Sequence, residues 1–196
     1  MADRTAESNS TRDRILAAAQ GVFAEHGLKG ATVGAIASAA QVNRALLYYY
    51  FESKEDIYRC LINEGAEAFR SVLGEVPGGE VPIRDRLHCL VRSYLRFCLT
   101  DRPLARIIRH DLLGGDVGRA LLEAPFTEIA ETLSQILVEG VRQGELRPMD
   151  ERLAAYSLLG MMNVLHDVVL LKGVPPDLES ATDHTLELFL RGAASG

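Results

Sequence analysis

Apolar residues recur along most of the chain with the three- and four-residue spacing of one helix face. The clearest stripe follows Ser10 and consists of Ile15, Leu16, Ala19, Val22 and Phe23. Side chains at this spacing lie on one side of a helix, whereas a strand places alternate residues on opposite sides. No segment shows convincing two-residue alternation. The pattern therefore predicts an all-α chain of about nine helices.

The first stripe predicts a helix that begins after a short polar segment. Ser10 or Thr11 can cap the start of this helix, and Gly27 can end it. Residues 1–10 are polar and carry charges of both signs, so we expect them to form a flexible N-terminal arm.

Two short helices are predicted next. Thr32 can cap the second helix, and Asn43 can cap a third that extends to about Tyr49. Only the break at residues 40–42 separates the two. Two short helices joined by a tight turn form a helix-turn-helix motif, in which the second member presents its N-terminal residues to the major groove of DNA.

The side chains of the third helix divide into a buried and an exposed set. If Leu47 faces the core, then Arg44, Ala45 and Tyr48 share the exposed side. A guanidinium can pair with O6 and N7 of guanine, and an alanine methyl can contact a thymine methyl. Tyr48 can reach a base or a phosphate. We expect these three residues to face the groove.

Three consecutive tyrosines, Tyr48 to Tyr50, leave two interpretations open: contact with DNA, or aromatic packing against the fourth helix. Phe51 and part of Tyr49 are expected to be buried, so Tyr49 is not a candidate site residue. Tyr50 and Lys54 are expected to bind phosphate oxygens, contacts that set the register on DNA without reading its sequence.

A fourth, longer helix is predicted to connect this region to the rest of the chain. Ser53, followed by Asp56 three residues later, resembles a capping box at its start. The helix carries a long apolar stripe formed by Ile57, Leu61, Ile62, Phe69 and Leu73.

The distribution of charge agrees with a local nucleic-acid contact. A formal net charge of −6 for the whole chain argues against indiscriminate binding of polyanions. Residues 11–54, however, contain five lysines and arginines and only three aspartates and glutamates. The helix-turn-helix segment is therefore basic within an acidic chain.

Three segments of this region together resemble the tetracycline-repressor (TetR) family. They are TRDRILAAA at residues 11–19, TVGAIA at residues 32–37 and LLYYYFESKE at residues 46–55. The specific resemblance covers about residues 11–62, and the later part is similar only in length and helicity.

The resemblance implies a homodimeric repressor that binds a near-palindromic operator in double-stranded DNA and is released by a small-molecule inducer. It implies a helix-turn-helix DNA-binding domain at residues 11–56 and a helical ligand-binding and dimerisation domain at residues 57–196. Thr32, Tyr50 and Lys54 fall on positions that bind phosphates in the family, and Arg44, Ala45 and Tyr48 fall on recognition-helix positions. The candidate DNA-binding residues are Thr32, Asn43, Arg44, Ala45, Tyr48, Tyr50 and Lys54.

The chain departs from the family pattern at two positions. Gln41 stands where a glycine is common in the turn, so the turn is expected to be tightened or strained. Leu46 stands where a small polar residue often contacts phosphate, which removes one hydrogen bond to DNA.

The rest of the chain predicts five more helices and a surplus of apolar surface. The predicted boundaries are a fifth helix from Pro82, a sixth ending near Leu113, a seventh from about Pro125 to Gln143, an eighth from Asp150 to Lys172 and a ninth from Leu178 to Arg191. The last two are unusually apolar, and the apolar residues between positions 158 and 171 of the eighth helix cover nearly its whole circumference, which exceeds what one protomer's core needs. We expect a dimer through Leu158, Leu165, Val169, Leu186 and Phe189.

An effector pocket is expected among the helices of the second domain. Its candidate residues are Phe97, Ile107, His110, Phe126, Ile129, Met161 and His166. Apolar side chains at helical spacing are also typical of an ordinary core, and a lone histidine such as His166 is often a hydrogen-bonded core residue. The expected ligand is an apolar or amphipathic small molecule.

Other classes of function have weaker support. An enzyme is not indicated, because the sequence has no nucleophile elbow, phosphate loop, dinucleotide fingerprint or zinc-protease motif. A helix-turn-helix that serves only protein interaction remains an alternative, against which the combination of Arg44, Tyr48, Tyr50 and Lys54 counts.

Neither a cofactor nor a metal is expected. The three cysteines lack a C-x-x-C spacing and are an odd number, which signals no disulfide framework or zinc site. The polar N-terminus has no apolar core of a signal peptide, and no apolar run is long enough to span a membrane. We therefore expect a cytoplasmic protein without membrane partners.

Overall fold

The structure, a computed structural model, describes residues 2–100, 103–108, 119–172 and 177–193. Within these ranges the chain forms nine helices and no strand, which confirms the all-α prediction. The helices are α1 (Ala2–Gly30), α2 (Val33–Ala39), α3 (Arg44–Tyr50), α4 (Lys54–Gly74), α5 (Ile83–Thr100), α6 (103–108), α7 (Arg119–Gln143), α8 (Glu151–Lys172) and α9 (Leu178–Ala193).

Two helix starts differ from the sequence prediction. α1 begins at Ala2 instead of at a cap on Ser10 or Thr11, and it continues past a non-helical Gly27 (φ 65°) to Gly30. α7 begins at Arg119, six residues before Pro125. A helix can contain a proline beyond its first turn if it gives up one backbone hydrogen bond, so a proline does not have to mark the start.

The contacts divide the chain into two compact units. Unit 1 consists of residues 1–66 and 103–122, and unit 2 consists of residues 67–102 and 123–196. The predicted domain boundary lay after residue 56, whereas the first unit extends ten residues further along α4 and also takes in α6.

The core of unit 1 is built from the apolar stripe of α1 and the inward faces of α2, α3 and α4. Phe23 of α1 and Tyr58 of α4 are both buried and meet edge to face, with ring centroids 4.9 Å apart. The guanidinium of Arg12 lies 5.4 Å from the ring centroid of Phe51, at a distance that suits a cation–π contact. The stripe predicted for α1 is therefore the one that packs.

α6 packs closely on α4 at a glycine. A Cβ atom at Gly65 would lie 2.5 Å from Cδ1 of Ile108 and 3.4 Å from Cδ1 of Leu104. A distance of 2.5 Å is far inside van der Waals contact. Gly65 thus allows an approach of α6 that a residue with a side chain would prevent.

Unit 2 has its own core, formed by α5, α7, α8 and α9. Its fully buried members include Leu87 and Leu90 of α5, Leu133 of α7 and Leu158 of α8. The buried hydroxyl of Tyr94 donates a 2.7 Å hydrogen bond to Oδ1 of Asn163, which satisfies two polar groups inside an apolar cluster. This bond joins α5 to α8.

A carboxylate at the end of α4 is tied to α5. Glu75 accepts hydrogen bonds from the hydroxyl of Ser93 and from the guanidinium of Arg96, the latter at 2.5 Å. The hydrogen bond from Ser93 is the main cause that lowers the pKa of Glu75, and the neighbouring Arg96 lowers it further. The carboxylate is therefore held in its charged form where α4 meets α5.

None of the helices within the described ranges is both long enough and apolar enough to cross a membrane.

Candidate DNA-binding surface

The two short helices of unit 1 each begin at a side-chain cap. The backbone N–H of Ala35 donates to Oγ1 of Thr32 at 3.1 Å, and the backbone N–H of Leu46 donates to Oδ1 of Asn43 at 2.7 Å. Both capping residues have extended backbone angles, as an N-cap requires. The predicted caps of α2 and α3 are confirmed.

The turn between α2 and α3 is closed by backbone hydrogen bonds and contains one unusual residue. The N–H of Gln41 donates to the carbonyl of Ser38, and the N–H of Val42 donates to that of Ala37 at 2.9 Å. Gln41 has a φ of 54°, and no other non-glycine residue among those described has a positive φ. A side chain in this left-handed region carries strain, as the departure from glycine predicted.

Leu47 anchors α3. Leu47 is fully buried, as is Ile36 of α2, and Phe51 directly after α3 is 2% exposed. Residues 47 and 51 are four positions apart, and both side chains point into the core. Because Leu47 points into the core, the directions of the other α3 side chains around the helix axis are fixed.

The opposite face of α3 is open to solvent. Arg44, Ala45 and Tyr48 are exposed, the last by 54%. Leu46 is also at the surface, where it is 36% exposed.

The prediction that Tyr49 is partly buried was wrong. The side chain of Tyr49 is 77% exposed, more than that of Tyr48. A residue two positions after Leu47 lies 200° around the helix, so it points away from the core that Leu47 enters. Tyr49 therefore joins the exposed face of α3.

Tyr50 is half-buried at the end of α3. Its ring meets that of Tyr49 edge to face, with centroids 5.1 Å apart and an interplanar angle of 89°. Such a pair restricts both rings, because their quadrupoles favour this arrangement.

Lys54 has structural partners that the sequence did not reveal. Its ammonium donates to the carbonyl of Leu28 at 2.8 Å and to the carbonyl of Ala31 at 2.9 Å. These carbonyls lie at the end of α1, so the first residue of α4 caps the last turn of another helix. An ammonium has three N–H donors, and one remains for a partner outside the protein.

Two of the capping side chains also retain donors. The hydroxyl of Thr32 accepts a bond through its oxygen and can still donate its hydrogen. The amide of Asn43 accepts through Oδ1 and keeps its NH2 group. Both residues are exposed, so each can cap a helix and bind a phosphate oxygen at the same time.

The start of α4 has the Ser53 half of the predicted capping box, whereas the carboxylate of Asp56 accepts from Glu52, the residue before the cap, and not from Ser53. The N–H of Asp56 donates to Oγ of Ser53 at 3.1 Å, and the N–H of Glu52 donates to the carboxylate of Asp56 at 3.2 Å.

The predicted effector residues do not all lie in one unit. Ile129 is fully buried in unit 2, where Phe97 and Phe126 pack partly buried against the same core and Met161 is half-buried. Ile107 belongs to unit 1. His110 and the side chain of His166 lie outside the described part of the structure.

The predicted dimer residues are mainly core residues. Leu158 is 0% exposed and Leu186 is 2% exposed within a single protomer, so a partner could not reach them without opening that core. Leu165 and Phe189 are partly buried against it, and the side chain of Val169 lies outside the described part. Among the described side chains of these two helices, the exposed large apolar ones are instead Leu153, Tyr156, Val164 and Leu188.

A metal site is not formed by the described side chains, since no three histidine, cysteine, aspartate or glutamate residues among them come together.

Comparison with known proteins gives the same assignment for both parts of the chain. Residues 15–61 match the profile of bacterial regulatory proteins of the tetR family. Residues 80–167 match the C-terminal domain of tetracyclin repressor-like proteins. The chain belongs to the tetracycline-repressor (TetR) family. Members of this family are transcriptional regulators with a helix-turn-helix DNA-binding domain.

Individual TetR-family relatives are similar over most of this chain. The nucleoid occlusion factor SlmA of Vibrio atlanticus is 29% identical over 161 residues, which are 81% of this chain and 82% of that protein. The fatty acid degradation regulator FadR of Bacillus halodurans is 26% identical, with a TM-score of 0.76 over 93% of this chain and 95% of that one. The regulator FadR of Bacillus subtilis, solved in complex with stearoyl-CoA, is 25% identical, with a TM-score of 0.75 over 91% and 97%.

Replacing Gln41 with glycine is expected to stabilise this TetR-family protein. Glycine adopts a positive φ without the steric cost of a side chain, so the free energy of unfolding should rise by about 1 kcal/mol. Gln135 is an exposed residue in the middle of α7 and is the matched control. Gln135→Gly should lower the same free energy by about 1 kcal/mol. Chemical denaturation measures both, and a loss of stability in Gln41→Gly would contradict the assigned strain.

Replacing Lys54 with alanine is expected to destabilise unit 1. The substitution leaves the carbonyls of Leu28 and Ala31 without their donor, at a cost of about 1–3 kcal/mol in the free energy of unfolding. Arg14→Ala, at an exposed cation of α1, is the control and should have little effect. Equal denaturation midpoints for the two variants would show that the capping contact contributes nothing.

Proposed function

We propose that this TetR-family protein is a transcriptional repressor that binds a near-palindromic operator as a homodimer and is released by an amphipathic small molecule. The observation that carries the proposal is the exposed face of α3. Buried Leu47 points into the core, and the exposed side chains are those of Arg44, Ala45, Tyr48 and Tyr49. The guanidinium, methyl and hydroxyl groups on that face suit contacts with base edges in the major groove.

The residues of this surface divide into readers and anchors. Arg44 is proposed to pair with a guanine, Ala45 to contact a thymine methyl, and Tyr48 to reach a base or phosphate. Thr32, Asn43, Tyr50 and Lys54 are proposed to bind phosphates through their remaining hydrogen-bond donors. Tyr49 joins the proposal because of its exposure.

The proposed dimer interface uses an exposed stripe on α8, together with Leu188 on α9. Leu153, Tyr156 and Val164 lie on one side of α8, at a spacing of three and eight residues. Gly160 lies between them, where an added Cβ would meet no atom within 4 Å. Apolar side chains beside a small residue allow a partner helix to approach closely. Two copies of α8 and α9 would then form a four-helix bundle by isologous packing.

The proposed effector is a long-chain acyl-CoA or a ligand of similar amphipathic character. Two arguments support this class: the bound stearoyl-CoA of the Bacillus subtilis relative, and the group of partly buried apolar residues Phe97, Phe126 and Met161 in unit 2. A ligand that binds better to the DNA-free conformation lowers operator affinity by its differential binding energy. The operator lowers ligand affinity by the same amount.

Selection of genomic DNA fragments by the purified protein, followed by sequencing, is expected to recover a few near-palindromic sites beside promoters. For the recovered site, Arg44→Ala should reduce the free energy of DNA binding by about 1–3 kcal/mol and relax the preference at one base position. Lys54→Ala should instead weaken the binding of all DNA sequences alike. It should also reduce by about one the slope of the logarithm of the binding constant against the logarithm of the salt concentration. Arg106→Ala, at an exposed cation of α6, is the control.

Three results would contradict this assignment. Failure to enrich any fragment would favour a protein-interaction module. Recovery of many sites away from promoters would argue against a promoter-specific repressor. Identical behaviour of the Arg44 and Lys54 variants would remove the division into readers and anchors.

The protein is expected to sediment as a dimer at micromolar concentration, and Val164→Arg should convert it to a monomer, because the guanidinium would have to be buried in the interface. Val138→Arg is the matched control, since Val138 is a 48% exposed valine on α7. The dimer should be unchanged in that variant. The operator footprint should cover two half-sites about 34 Å apart. A monomeric unsubstituted protein would refute the dimer, and a dimeric Val164→Arg variant would refute this interface.

Stearoyl-CoA is expected to raise the melting temperature of the protein, whereas coenzyme A alone should not, because the acyl chain supplies the apolar contact. At saturation it should lower operator affinity by about 5–150-fold. Phe126→Ala and Met161→Ala should weaken stearoyl-CoA binding, while Val138→Ala should leave it unchanged. Unaltered operator affinity at saturation would exclude induction by this ligand, and unaltered ligand affinity in both variants would exclude the proposed pocket residues.

A further inference from the structure

The side chain of Arg44 extends from α3 across to α2 and lies against Gly34. A Cβ atom added at Gly34 would be 2.6 Å from Nη2 of Arg44, 3.4 Å from its Cζ and 3.5 Å from its Nε. Nη2 therefore occupies space that a side chain at position 34 would take, while Cζ and Nε would lie at contact distance from it. Gly34 and Arg44 belong to the two members of the same helix-turn-helix motif.

The glycine is not explained by the conformation or the packing of α2. Gly34 lies within a regular helix and is not among the glycines with a positive φ. A glycine inside a helix is less stable than an alanine by about 0.5–1 kcal/mol. The three atoms nearest to its missing side chain all belong to the guanidinium group of Arg44. The feature that the glycine provides is thus room for this one group.

The guanidinium lies in the open space beside Gly34 without an attractive partner in the described structure. Among the described residues it has no ion pair and no hydrogen bond. Gly34 lies in the first turn of α2, where the partial positive charge of the helix end does not favour a cation. Arg44 can therefore turn toward an anionic or guanine partner without breaking any contact of its own.

We propose that Gly34 is a specificity-determining position that acts through Arg44. The absence of a Cβ leaves the space along the first turn of α2 open to the guanidinium, so Arg44 can adopt a side-chain conformation in which it lies against α2. A methyl group at position 34 pushes the guanidinium outward, so it no longer meets a base edge in the same plane. A bidentate pair needs both N–H groups aligned with two acceptors, and such alignment is lost by small displacements. This inference rests on the proposed role of Arg44 as a reader of DNA.

The test compares Gly34→Ala with Gly21→Ala, Arg44→Ala and the double variant of residues 34 and 44, all in the full-length chain. Gly21 is a helical glycine of α1 with no atom within 4 Å of an added Cβ, so it gains the same methyl without a contact. For each protein, affinity is measured for the selected operator and for operators substituted at the base pair that Arg44 reads. Melting temperatures of all variants are measured in parallel.

Gly34→Ala is expected to reduce the preference for the selected base by about fivefold or more, the lower end of what one bidentate contact contributes. Gly21→Ala should leave this preference unchanged. Neither alanine should lower the melting temperature, because alanine favours a helix. In the double variant, the change at position 34 should have no further effect on the base preference, because the guanidinium of Arg44 is absent.

Each contrary result has a different meaning. An unchanged base preference in Gly34→Ala, while Arg44→Ala loses it, overturns the role of Gly34 and leaves the proposed function intact. An unchanged preference in Arg44→Ala overturns the reader assignment and the inference with it. A loss of preference in Gly34→Ala that persists at equal size in the Arg44→Ala background shows that position 34 acts without Arg44, which also overturns the proposal.

Discussion

The candidate DNA-binding surface depends on the burial of Leu47, because α2 and α3 are too short to be stable by themselves. A seven-residue helix fixes many backbone angles for few hydrogen bonds, and isolated helices of this length are not populated in water. Leu47 and Ile36 supply the apolar contact, and the caps at Thr32 and Asn43 satisfy amides that the short helices leave free. The orientation of the reading face is therefore a result of packing on its opposite side.

Three residues of this surface make structural contacts with the same side chains that are proposed to bind DNA. Thr32 and Asn43 cap helices, and the ammonium of Lys54 binds two carbonyls at the end of α1. The proposed phosphate contact would then add to a side chain whose position is already determined, so little conformational entropy would be lost on binding. Loss of DNA affinity after substitution of such a residue has two causes, lost contact and lost structure, which a stability measurement separates.

Local signals in the sequence predicted the caps, the strained turn at Gln41 and the helix-turn-helix itself, since each depends on a few adjacent residues. Long-range contacts were not predictable in this way. The partners of Lys54 lie 26 and 23 residues away, and the burial of Leu158 and Leu186 depends on how four helices meet. The error at Tyr49 was avoidable. If Leu47 points into the core, a residue two positions later points to solvent. Apolar composition alone could not separate a core residue from an interface residue on α8.

The tight approach of Ile108 to Gly65 makes unit 1 discontinuous along the chain. Ile108 and Leu104, from beyond position 100, complete the apolar environment of α4 around Gly65, so a single continuous segment does not supply all of unit 1. A shortened protein that ends after α4 would leave the surface around Gly65 uncovered and open to association with other chains. We therefore expect the packing of unit 1 during synthesis to be completed only after α6 has left the ribosome.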